Sequence, residues 1–167
     1  MILVLFKRLV QVLVLAALQV LVLNQIHLFG YATPMPYVLF LVWLPLNSNR
    51  VGNMLWAFLL GLIIDVFSNT PGEASASMTL AALVQWPLLH ASAPKDCVED
   101  MVPTYASMGR WNHTRYIIIL TLVHHALFFL LESFSFFNLL YWAECVGGST
   151  VLTLLLILFI ENIRRDR

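Results

Sequence analysis

The stretch Gly61 to Trp86, GLIIDVFSNTPGEASASMTLAALVQW, decides the fold. It holds the end of one apolar run, a turn at Asn69, Thr70, Pro71 and Gly72, and most of a second apolar run. Proline lacks a backbone donor and glycine admits left-handed geometry, so the pair stops a helix and reverses the chain. Asp65 sits inside the first arm, where an acid costs roughly 2.5–3.5 kcal/mol on insertion scales and marks function or assembly. The second arm opens on Ala74, Ser75, Ala76 and Ser77. Small side chains allow the close backbone approach by which helices associate in lipid. Gly61 lies one helical turn before Asp65 on the same face, so a neighbour can come close beside the carboxyl group. The stretch reads as a helical hairpin at the centre of a packed membrane bundle.

Composition says the same of the rest. Of 167 residues, 60% are hydrophobic and 11% charged, and the mean hydropathy is +0.85. Apolar runs follow one another almost end to end, which excludes a soluble domain and leaves one integral membrane domain over residues 1–167. The two cysteines, Cys97 and Cys145, fall in a polar loop and an apolar span, which is no disulfide framework. The N-terminal MILVLFKRLVQVLVLAALQVLVL has the cations and apolar core of a signal peptide. Its apolar run continues beyond such a core with no small-x-small cleavage site, and so reads as a retained span.

Six spans are expected, at about residues 9–29, 31–47, 52–68, 72–90, 116–134 and 140–160. The second is short. Pro34 and Pro36 hold its start extended, and Pro45 and Asn47 end its helix, so its irregular backbone must be buried among other helices to cross. Gln19, in the middle of the first span, should also face protein. Residues 93–115 form the one sizeable polar loop, and Glu161 to Arg167 a charged tail. With six crossings and a cytoplasmic N-terminus, all nine lysines and arginines fall on the cytoplasmic side, as the positive-inside rule favours. If the Pro-rich segment stays on one side, the cations divide between both. The same threading puts Asp65, Glu73, Glu132 and Glu144 toward the outer face with no cation among them. The fold class is all-α: a polytopic six-helix bundle with a short second span.

The candidate assembly site is Gly61, Asp65, Pro71, Gly72, Ser75 and Ser77. Asp65 reads either as a cavity-lining acid that binds a ligand, proton or partner, or as a packing acid bonded to the hydroxyls of Ser68, Ser75 or Ser77. Without a cation on its side of the membrane, the neutral acid is the cheaper form. His124 and His125 project about 100° apart and cannot easily share a metal, while His125 and Glu132 share a face that suits a proton relay. Ser75 or Ser77 with His124 suggests an intramembrane serine protease, yet no Gly-x-Ser-x-Gly turn is present. No phosphate-binding loop and no basic aromatic stripe for nucleic acid occurs. Phe128, Phe134, Phe137, Tyr141 and Trp142 cluster where the fifth span leaves and the sixth enters. They form either an interfacial belt or a docking surface for another membrane protein.

Gly61-Leu-Ile-Ile-Asp65-Val-Phe-Ser-Asn-Thr-Pro-Gly72, followed by a helix of small residues, resembles the rod-shape-determining MreD family in its Bacteroidetes-like form. Size, six-span layout and short basic tail resemble that family over nearly the whole chain. Where the family often carries a His after the Pro-Gly turn, this chain reads Glu73-Ala74-Ser75. The resemblance implies a non-enzymatic subunit of the bacterial inner membrane with both termini cytoplasmic, serving peptidoglycan synthesis during cell elongation. It implies no cofactor and no metal. The partners it implies are the single-span MreC and, through it, the actin-like MreB, RodA and a penicillin-binding transpeptidase, with the lipid bilayer around the chain. The family is also similar in fold to six-helix substrate-binding subunits of vitamin transporters. That similarity supplies the alternative expectation, a small-molecule-binding transporter subunit.

Overall fold

A computed structural model describes residues 2–25, 32–94, 101–133 and 139–165. It is all-helical, with no strand among the described residues. The helices are α1 (Ile2–Leu21), α2 (Leu39–Val42), α3 (Arg50–Ser68), α4 (Glu73–Ser92), α5 (Tyr105–Met108), α6 (Arg110–Ser133) and α7 (Leu139–Arg165). Among the described residues, four helices are long and apolar enough to cross a membrane, over Leu3–Leu21, Arg50–Ser68, Arg110–Ser133 and Leu139–Arg164.

Two of the six expected spans differ from that description. Residues 32–49 contain no helix longer than the four residues of α2. α4 has 20 residues, about 30 Å at 1.5 Å each, but it lacks a stretch of membrane-crossing length as apolar as those in the four. Its position explains its composition. α4 packs against α3 on one side and α6 on the other, so Ser75, Ser77 and Gln85 are buried by protein.

The outer helices invert the pattern of a soluble protein. On α3, Asn53, Ala57, Leu60, Gly61, Ile64 and Asp65 are buried, at the one-turn spacing of a single face. Its exposed face carries Val51, Leu55, Phe58, Leu62 and Val66. On α7, Thr153, Ile157 and Glu161 are buried, while Val151, Leu155, Phe159 and Ile163 are exposed. Apolar side chains outside and polar ones inside are what a lipid solvent demands. The chain is a membrane-embedded helical protein.

Helix direction follows from cross-links. Arg8 donates to Asn53 at 3.3 Å and Asn24 donates to Ser68, so α1 and α3 run parallel. Ser77 faces His124, and Gln85 donates to Tyr116, so α4 and α6 are antiparallel. His125 with Thr153 and His113 with Glu161 make α6 and α7 antiparallel. The bundle therefore has an Asp65 end and an Arg50 end.

Residues 32–49 pass between these ends inside the bundle, with Tyr37 to Val42 at 0–1% exposure. Side chains supply the backbone partners that a helix would have supplied internally. Thr33 N–H donates to Ser149 Oγ at 3.1 Å, and Met35 N–H to Thr153 Oγ1 at 2.9 Å. Gln19 donates to Pro34 O at 3.1 Å. Trp43 Nε1 donates to Glu161 Oε1 at 2.6 Å near the far end. Each such group left bare in hydrocarbon would cost several kcal/mol. Gln19 is 1% exposed, and it faces protein because it holds this irregular strip.

Candidate functional site

α3 ends and α4 begins around one residue. Asn69, left-handed at φ 56°, caps α3 by donating its N–H to the Asp65 carbonyl. Thr70 N–H donates to the same carbonyl at 3.2 Å. Pro71 then prevents the helix from continuing, and Gly72 turns the chain at φ 89° as the N-cap of α4. A glycine cap has no side chain to offer, so the first amides of α4 are left open. Asp65 fills them from the previous helix. Its Oδ1 accepts from Ala74 N–H at 2.8 Å and from Thr70 Oγ1 at 2.8 Å, and its Oδ2 accepts from Ser75 N–H at 2.9 Å. One acid thus closes α3 with its carbonyl and opens α4 with its carboxylate.

This corrects the expected partners. Ser68, Ser75 and Ser77 hydroxyls do not satisfy Asp65. Ser68 Oγ accepts from Asn24, Ser75 Oγ donates to Gly72 O at 3.2 Å, and Ser77 Oγ donates to Ala74 O at 3.1 Å. The physical reason is the helix terminus: its free N–H groups and partial positive charge offer a carboxylate better donors than hydroxyls. Three donors meet two oxygens, which uses the acceptor-only inventory of the ionised group. The cation missing from this side of the sequence is replaced by a helix end.

Gly61 makes the contact possible. A Cβ placed there would lie against the Ser75 Cα and stand 2.6 Å from both Ala74 O and Ser75 N. Only a residue without Cβ lets α4 seat this close, one turn below Asp65. Gly61, Asp65, Pro71, Gly72 and Ser75 therefore meet in one junction, and Ser77 lies a turn inside it.

The histidines do other work. His125 Nδ1 lies 2.8 Å from Thr121 O, so it carries the proton, and Nε2 accepts from Thr153 Oγ1 at 3.0 Å. Both ring nitrogens are occupied, which leaves none for a relay to Glu132. His124 is fully buried, yet its Nε2 is 3.5 Å from Ser77 Oγ and its Nδ1 has no partner among the described residues. The Ser77 hydroxyl also donates to Ala74 O on its own helix at 3.1 Å, the shorter of its two contacts. Among the described residues, no three His, Cys, Asp or Glu side chains converge as metal ligands.

At the Asp65 end, a cavity of about 320 Å³ lies between α1, α3 and α6. Asn24, Tyr37, Phe128 and Glu132 line it, together with Gln19, whose Oε1 lacks a partner among the described residues. Phe128 belongs to this interior: it is 8% exposed and stacks on His124 with centroids 6.4 Å apart. It is therefore no part of a docking surface, because it follows Leu120, Thr121 and His124 on the buried face of α6. Trp142 is half-buried against the core, while Tyr141 is 46% exposed. Phe134 and Phe137 lie outside the described residues.

Sequence reading missed a second junction at the Arg50 end. Glu161, assigned to a charged tail, is 2% exposed within α7, and His113, assigned to a loop, is 0% exposed within α6. Glu161 Oε2 is 3.2 Å from His113 Nε2, and Glu161 Oε1 takes both Trp43 and Arg164. The available signal was weak. Glu161 follows Thr153 and Ile157 at one-turn spacing, which placed it on a helix face rather than in a tail.

No protein-family model matches the chain, and no curated protein or solved structure matches it.

Proposed function

We propose that this chain is a non-enzymatic, multi-pass subunit of the bacterial cell-elongation complex, of the MreD kind. It would cross the inner membrane six times with both termini in the cytoplasm. It would dock the single-span MreC, and through it act with MreB, RodA and a penicillin-binding transpeptidase. The observation that carries the reading is the use made of Asp65. Its carboxylate is taken up by Thr70, Ala74 and Ser75, so the residue central to the resemblance holds two helices together. Broad apolar faces on α1, α3 and α7 leave room for partner helices. The test is capture of the tagged chain from its native membrane, with proteins identified by mass spectrometry. MreC should copurify, and reporter fusions after Leu46, His90 and Arg167 should read cytoplasmic. Capture without any wall-synthesis protein, or a periplasmic reporter at Arg167, would overturn it.

One observation favours a second reading, a small-molecule-binding subunit of a vitamin-type transporter. The cavity at the Asp65 end is lined both by Glu132 and by Gln19, whose Oε1 has no partner among the described residues. A stoichiometric organic molecule released from the purified protein would favour this reading over the first.

A further inference from the structure

A second pocket, of about 520 Å³, opens at the Arg50 end between the start of α1, the turn at Trp43 to Pro45, and the end of α7. Lys7, Arg8 and Arg164 line it, with Leu3, Val4 and Leu44 as apolar walls. Two elements far apart in sequence thus bring three cations to one place.

Their charges are poorly compensated. The acid beside Arg164, Glu161, is shared among His113, Trp43 and Arg164. Arg8 donates to the neutral amide of Asn53. Neither Lys7 nor Arg8 has an acid partner among the described residues. Among the described residues the pocket therefore holds surplus positive charge against hydrocarbon walls. A soluble anion would satisfy the charge alone, whereas an amphiphile satisfies both.

The surroundings favour the amphiphile. Leu3 is 83% and Val4 56% exposed, and they stand one turn before the cations on an exposed apolar helix. Arg164 lies 5.6 Å from the Trp43 ring, and an indole with a bonded N–H is a membrane-interface group. Cations at the level where apolar side chains give way to an indole stand where acyl chains meet phosphates. Basic pockets between membrane helices recognise anionic headgroups in this way, through charge-assisted bonds to phosphate oxygens.

We propose that this pocket binds the phosphate of an anionic phospholipid between Lys7, Arg8 and Arg164, with an acyl chain lying along Leu3 and Val4. The site stands apart from the Asp65 junction and does not depend on the proposed function.

The full-length protein is placed in nanodiscs of phosphatidylcholine containing a minor fraction of phosphatidylglycerol with the same chains. Lipid retained on the released protein is then counted by native mass spectrometry. Wild type should retain phosphatidylglycerol preferentially, and Lys7→Gln with Arg8→Gln should lower that retention by about 30-fold, near fivefold per cation. Arg8→Lys keeps the charge and should retain most of the binding. Lys7→Gln alone alters an exposed side chain and should lose about fivefold with helicity and thermal unfolding unchanged, which separates binding from folding. Equal retention of both lipids by wild type would overturn the proposal. So would unchanged retention in the double variant, or full competition by inorganic phosphate, which would make this a soluble-anion site.

Discussion

Gly61 and Ser75 touch backbone to backbone. A Cβ at Gly61 would stand 2.6 Å from the Ser75 nitrogen, and the obstacle is main chain of another helix that cannot rotate away. Gly61→Ala should destabilise the bundle by about 3 kcal/mol, the upper part of the range for overpacking. Thermal unfolding in detergent reads this directly. An unchanged midpoint would mean that α4 has room to withdraw.

Asp65→Asn should be damaging, contrary to what the sequence suggests for a neutral, hydroxyl-bonded acid. The amide keeps one oxygen for Ala74 and Thr70 but turns an NH2 group toward the Ser75 N–H. Two donors then face each other, at roughly 1–3 kcal/mol for the stranded group. Faster hydrogen exchange at the Ser75 amide and a lower unfolding midpoint are expected. An Asn variant as stable as wild type would show that Oδ2 does not act as an acceptor.

The adjacent histidines should respond oppositely. His125→Leu leaves the Thr153 hydroxyl without its acceptor, whereas Thr121 O keeps its helical N–H, and should cost roughly 1–3 kcal/mol for the one group left unpaired. His124→Leu removes a ring with an orphaned nitrogen, and should stay within about 1.5 kcal/mol of wild type, as volume-conserving swaps do. Comparing the two unfolding midpoints tests the assignment. Equal losses would mean that His124 has a partner of its own.

Phe128→Ala should act on stability, at about 3–5 kcal/mol for a buried ring. Tyr141→Ala, at a side chain 46% exposed, should cost less, about 1 kcal/mol for the hydrogen bond it shares with Cys145. If Tyr141 forms part of a partner surface, its loss should weaken partner capture at full abundance. Reduced abundance in the Tyr141 variant would place that residue in the fold.

Membrane character, the hairpin and the coupling of Gly61 to Asp65 were legible because helical spacing and turn chemistry are local. The partners of Asp65 were not. Finding them required knowing that Gly72 would be the N-cap and would leave the amides of Ala74 and Ser75 open. The short second span was legible as a problem, since its prolines forbid a full helix. Its solution was not, because Thr153, Ser149 and Gln19 are distant in sequence and look like interruptions of apolar runs. His113 and Glu161 share no local pattern, so their pairing appears only in the folded chain.

Because Asp65 finishes one helix and starts the next, parting α3 from α4 in the bilayer would uncover its carboxyl group. An α3 released alone would carry an acid whose main partners, the Ala74 and Ser75 amides, are still on the incoming chain. In hydrocarbon that acid costs roughly 2.5–3.5 kcal/mol on insertion scales. That cost favours keeping the two arms side by side, so the junction that caps α4 also works as a clasp holding α3 against it.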